Sequence, residues 1–141
     1  MYLSFKAVEV IDIGSGGMIT GFRELTSFAG DFALSYVTVS SEQDAEELAT
    51  SMVEQRVAAC VHIFPKVQSV YRWNGKVEKN STVMMLVKSP TKSLKSMTDF
   101  VKKHHPKHHP SRGCGIVSFP ITEGQHDYFQ YLYDATTGDE H

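Results

Sequence analysis

The chain is poor in cysteine. Cys60 and Cys114 are the only two in 141 residues, too few for the disulfide framework that holds small secreted domains together, and their scarcity fits a reducing compartment, the cytosol. It also lacks an excess of either charge: a net charge of −2 with histidine neutral gives no broad field for DNA, RNA or an anionic membrane, which excludes nucleic acid as an expected partner. Long apolar runs are missing too. The run Val83-Met84-Met85-Leu86-Val87 is cut short by Lys88 and Pro90, far below the ~20 residues a spanning helix requires, so a soluble protein with no membrane partner is expected.

The first 30 residues lack the arginine-rich, acid-poor character of a transit peptide, since Glu9, Asp12 and Glu24 oppose only Lys6 and Arg23. Gly14-Ser15-Gly16-Gly17 has neither the third glycine nor the following helix of a dinucleotide fingerprint. Nor does the chain show a nucleophile with its base, or a pair of carboxylates with a reason to titrate apart, so no enzyme is expected. Residues 1–30 read as a poorly ordered, loosely attached extension, 31–137 as one domain and 138–141 as a polar tail.

Within that domain the patterning is regular. Ala33 to Val39 reads as a buried strand. Ser41 offers an N-cap with Asp44 three residues on, and Ala45, Leu48, Ala49, Met52, Val53 and Arg56 form the stripe of an amphipathic helix whose glutamates face water. A strand is predicted from Val57 to Phe64. Pro65 marks a bulge, and Val67, Ser69, Tyr71 and Trp73 resume alternation with period two. Asn74-Gly75 then signals a type I′ hairpin, with Val77 to Val87 returning. Arms of this length span roughly 40–50 Å at ~3.3 Å per residue, so the ribbon overhangs its domain and its exposed aromatics call for pairing with other copies of the chain.

A second helix outlined by Leu94, Met97 and Val101 stops before Pro106, and Ile116 to Ile121 is a further strand. A last helix opens at Gly124, its tyrosines expected to pack. The order β-α-β-β-α-β-α predicts an α+β, ferredoxin-like sandwich with a long β-hairpin and an extra C-terminal helix.

The densest chemistry lies between the second helix and the last strand. Lys103-His104-His105-Pro106 is followed at once by Lys107-His108-His109-Pro110, placing four of the seven histidines in six residues. Imidazole is the commonest protein ligand of transition metals and titrates near neutral pH. The cluster therefore suits a divalent ion, an anion when protonated, or simple solvation. Cys60, inside Ala58-Ala59-Cys60-Val61-His62-Ile63, reads either as a packed core thiol or as a ligand that would favour zinc or copper(I). Cys114, between Gly113 and Gly115, is assigned no role.

Three stretches carry a likeness. Val53-Glu54-Gln55-Arg56-Val57-Ala58-Ala59-Cys60-Val61, then Ser69-Val70-Tyr71-Arg72-Trp73-Asn74-Gly75-Lys76-Val77-Glu78, and finally the His-Pro after the second helix resemble the CutA family, the divalent-ion tolerance proteins, over about residues 32–135. The resemblance implies a ferredoxin-like protomer assembled as a homotrimer through its ribbons, binding copper and other divalent ions, with no agreed enzymatic activity. Counted from Gly75 the family's His-Pro falls on His105-Pro106, and counted back from Pro120 it falls on His109-Pro110. A tandem copy of four residues reconciles the two registers. The tyrosine that follows this motif in the family is Lys107 or Ser111 here. The metal site expected on this reading draws on Cys60, His104, His105, His108 and His109 for copper or zinc. The alternative is a regulatory or scaffold trimer holding a small anionic ligand or a protein partner in its intersubunit clefts.

Overall fold

The computed structural model describes residues 9–13, 17–21, 28–104 and 115–138. Strands β1 (Glu9–Ile13) and β2 (Gly17–Gly21) pair antiparallel as a two-stranded sheet of their own, in a stretch where sequence patterning places no regular element. The main body follows as β3 (Phe32–Val39), α1 (Glu42–Glu54), β4 (Cys60–Trp73), β5 (Lys76–Pro90), a 3₁₀ turn (Thr91–Ser93), α2 (Leu94–His104), β6 (Gly115–Ile121) and α3 (His126–Thr137). The four strands lie in the order β4-β5-β3-β6, every neighbouring pair antiparallel. Each helix-containing crossover therefore joins two parallel strands separated by a third, which is the ferredoxin-like arrangement.

Local chemistry explains the boundaries. Ser41 accepts a hydrogen bond from the Asp44 amide at 3.1 Å, satisfying one orphan N–H at the start of α1. The helix ends earlier than its apolar stripe suggested, because Arg56 lies beyond it with φ at 59°. Its guanidinium Nη1 donates to the Ala135 carbonyl at 2.7 Å, satisfying one of the orphan acceptors at the C-terminal end of α3. The strand expected from Val57 consequently starts at Cys60. The returning arm of the ribbon runs on to Pro90, and α3 starts at His126 rather than Gly124 and is closed by Gly138 with φ at 90°.

The hairpin forms as its sequence demands. Trp73 pairs with Lys76 across Asn74 and Gly75, whose φ angles are 51° and 77°, the positive pair a type I′ turn needs. A Cβ on Gly75 would meet nothing within 4 Å, so Gly75→Ala tests backbone strain alone. It is expected to cost about 1 kcal/mol in denaturant unfolding with the slope unchanged.

Lower in the ribbon, Phe64 pairs with Met84 and Val67 with Thr82, so Pro65 and Lys66 together oppose Val83. This bulge has a directional consequence. Below it the even-numbered Cys60, His62 and Phe64 share a face, and above it the odd-numbered Val67, Ser69, Tyr71 and Trp73 continue on that same face, as the 3.1 Å contact between the Ser69 and Thr82 hydroxyls requires.

The two faces of the sheet have different fates. Val37, Val39, Val83, Met85 and Val87 point towards α1 and α2 and close the main core with Ala45, Leu48, Met52, Met97 and Val101. On the other face, α3 covers only the end built from Phe32 and Ile121, where Phe28, Phe129 and Leu132 form a second cluster. Among the described residues, no layer covers the remainder of that face. It presents Tyr36, Phe64, Val117 and Phe119 at 36–48% exposure, with the Tyr36 and Phe119 rings stacked 6.0 Å apart.

Candidate metal-binding residues and the uncovered sheet face

Cys60 and His62 open the edge strand β4. Val61 and Ile63 pack into the main core, so alternation turns Cys60 and His62 to the uncovered face. Cys60 is thus not the core thiol its apolar neighbours suggested: it is a half-buried free thiol with Sγ 3.9 Å from the Nδ1 of His62. Directly across the ladder from Cys60 is Lys88. The Lys88 ammonium donates to the Tyr128 hydroxyl at 2.8 Å and sits 4.7 Å from the centre of that ring, so it is drawn towards α3. His62 is a potential ligand that sequence reasoning passed over. Its signal was available, since residues two apart on a strand share a face.

His104 is the last residue of α2. Its ring stacks on Phe100 with centroids 4.2 Å apart, and its Nδ1 lies 2.8 Å from the Phe100 carbonyl oxygen. A carbonyl can only accept, so Nδ1 is the donor in this contact and Nε2 is the ring nitrogen left to face a ligand. His104 also borders a cavity of about 190 Å³ with Asp44, Glu47 and Ser51 of α1. Glu47 was expected merely to face water. His105, His108, His109 and Cys114, with Pro106 and Pro110, lie outside the described residues.

These positions separate the expected ligands. Cys60 lies on the uncovered face of the sheet, and His104 lies in the helical layer on the opposite face. A single ion inside one protomer cannot take both. Among the described residues no group of three or more His, Cys, Asp or Glu side chains comes together to hold a metal.

The aromatic residues of α3 serve packing in part. His126 rests on Phe28 with centroids 5.3 Å apart. The tyrosines divide: Tyr133 packs against the second cluster, whereas Tyr128 and Tyr131 stack on each other at 5.7 Å and stay 38% and 48% exposed. A cavity of about 370 Å³ lies where the C-terminal end of α3 meets the 3₁₀ turn, lined among others by Asp31, Thr91, Lys92, Ser93 and Tyr133. No helix among the described residues is long and apolar enough to cross a membrane.

Fold and surface together define an α+β, ferredoxin-like protein distinguished by a long ribbon and a partly uncovered sheet. The family model described as CutA1 divalent ion tolerance protein matches residues 33–135, and the chain belongs to that family. Human Protein CutA is 34% identical over 107 residues, covering 76% of this chain. The chain spans 58% of the length of that human relative. The divalent-cation tolerance protein CutA of Thermus thermophilus is 39% identical over 100 residues, 71% of this chain and 93% of its own length. Among solved structures, CutA1 from Oryza sativa superposes with a TM-score of 0.70 at 30% identity, covering 78% of this chain and 97% of the rice chain. The Thermus thermophilus structure gives 0.66 at 37% identity, covering 72% and 94%.

Proposed function

We propose that this protein is a cytosolic homotrimer that binds divalent metal ions, copper foremost, in metal tolerance, and that it is a binding protein rather than an enzyme. The observation carrying this reading is the uncovered sheet face. Its aromatics and the half-buried stripe of Tyr71 and Trp73 lie on the same side of the sheet through the bulge, and among the described residues no strand pairs with the outer edge of β4. Exposed apolar surface and free strand edges are liabilities in a monomer and assets in an assembly. Three copies joined there would bury the ribbons and bring ligands from different subunits together. Cys60 with the histidines at 104, 105, 108 and 109 supplies thiolate and imidazole donors, the set that zinc and copper accept.

The test uses the full chain purified without a histidine tag. Its mass in solution is expected to be that of three chains, and elemental analysis after exposure to copper or zinc is expected to find bound metal. Replacing His104, His105, His108 and His109 together by alanine is expected to weaken uptake on the order of tenfold or more, because each lost imidazole removes a direct ligand. Unchanged affinity in that variant removes the cluster from the site. The regulatory alternative has one observation in its favour, the cavity where Thr91, Lys92 and Ser93 gather hydroxyls and a cation. Thermal shifts with phosphorylated metabolites and none with metals would favour it.

A further inference from the structure

We infer that Cys60 and His62 form one half of a thiolate–imidazole metal site that a second copy of the chain completes, so that metal binding and subunit association are coupled. The inference rests on the trimer reading above and adds the mode of binding. Zinc bonds of about 2.3 Å to sulfur and about 2.0–2.1 Å to nitrogen, at a tetrahedral angle, hold the two donor atoms about 3.6 Å apart. In the protomer Cys60 Sγ and His62 Nδ1 are already 3.9 Å apart. They are held there by a strand whose intervening residue, Val61, is packed into the core. The separation is long for a strong hydrogen bond and a few tenths of an ångström from a bidentate bite, an adjustment that small χ rotations supply.

The described residues of the protomer leave the site half built. The cross-strand neighbours of Cys60 and His62 are Lys88 and Leu86, and one strand further on are Leu34 and Tyr36. None of these is a usual ligand of zinc(II) or copper(I), and Lys88 is engaged by Tyr128. Among the described strands β4 is the edge of the sheet, and no described strand pairs with its other side, where another chain can dock. A four-coordinate ion on this pair therefore has two positions that this part of the fold does not fill, on the face where a second copy is expected to dock. The donor set selects a borderline or soft ion, zinc(II) or copper(I), over magnesium or calcium. Because the ion contacts two chains, it binds the assembled state more tightly than the separated one and stabilises the assembly by the same factor.

Cobalt(II) is the probe, because a thiolate bound to it gives a charge-transfer absorption that imidazole alone does not. The untagged, reduced full chain is titrated as wild type, Cys60→Ser, His62→Ala and Phe64→Lys, with the mass in solution measured in parallel. The wild type is expected to show the thiolate band, with affinity falling on dilution below the concentration at which it assembles. Cys60→Ser loses the band. His62→Ala weakens binding by at least the roughly 10–100-fold seen for lost outer-shell partners. Phe64→Lys stays folded, fails to assemble and loses the band; should it fail to fold, the dilution series on the wild type carries the same test. A folded monomer that binds cobalt with the thiolate band as tightly as the wild type overturns the inference, as does a band indifferent to His62→Ala. An assembled wild type that takes up metal with no thiolate band also overturns it and leaves the metal-binding trimer standing. A wild type that is monomeric at all concentrations overturns both.

Discussion

If copies of the chain meet on the uncovered sheet face, as proposed, Tyr36→Glu is expected to leave a folded monomer. Tyr36 lies on β3, the strand flanked by β5 and β6, and its ring is 36% exposed on the face that α1 and α2 do not cover. Its neighbours across the two ladders are Leu86 and Val117, and it stacks on Phe119. Removing an aromatic from the centre of an interface costs about 2 kcal/mol or more, and placing a carboxylate in the same desolvated position costs several more. In a trimer the change is repeated in every copy. A loss of about 5 kcal/mol corresponds to roughly four powers of ten in the association constant, and sedimentation equilibrium is expected to show one-chain mass at micromolar concentration. The protomer should survive, because the adjacent side chains that build its main core, Val37 and Val39, point the other way. Unchanged three-chain mass in a variant with native circular dichroism would show that this face is not where copies meet.

What the sequence made legible is what local chemistry determines. The cap at Ser41 and the turn at Asn74-Gly75 each depend on the conformational preferences of one or two residues, and each is found where those residues place it. Even the bulge at Pro65 could be read, because a residue without an N–H cannot continue a ladder. Its consequence could not: that the bulge puts the stripe of Tyr71 and Trp73 on the side of Phe64 emerges only from the pairing register with β5. The same holds for Cys60. An apolar neighbourhood in sequence suggests burial, but in a two-layer sandwich the strand has one face in the core and one outside it, and alternation alone does not say which is which. The separation of Cys60 from His104 is a tertiary fact of this kind, and so is the departure of Arg56 from its helix, where a hydrogen bond to Ala135, 79 residues away, accompanies a left-handed backbone.

The other large effect is expected from Leu132→Ala. Leu132 is fully buried beneath α3, in the cluster with Phe28, Phe32, Ala59 and Phe129. Truncating a buried leucine to alanine costs about 2–5 kcal/mol, set by how far the cavity collapses. Here the neighbours are aromatic rings in fixed mutual contact, Phe28 on Phe129 at 5.4 Å and Phe32 on Phe129 at 6.1 Å, which resist collapse and place the expected loss in the upper half of that range. The helix has a cheaper way out than global unfolding. Besides this cluster its ties to the body include the Arg56 bond to Ala135 and the Lys88 bond to Tyr128, both exposed and therefore worth about 1 kcal/mol or less apiece. Local undocking of α3 therefore becomes accessible before the main core opens. Amide hydrogen exchange is expected to quicken by two or more powers of ten along α3 while the amides of β3 and β5 change less. Uniform acceleration across both clusters would instead show that α3 and the main core unfold as one unit.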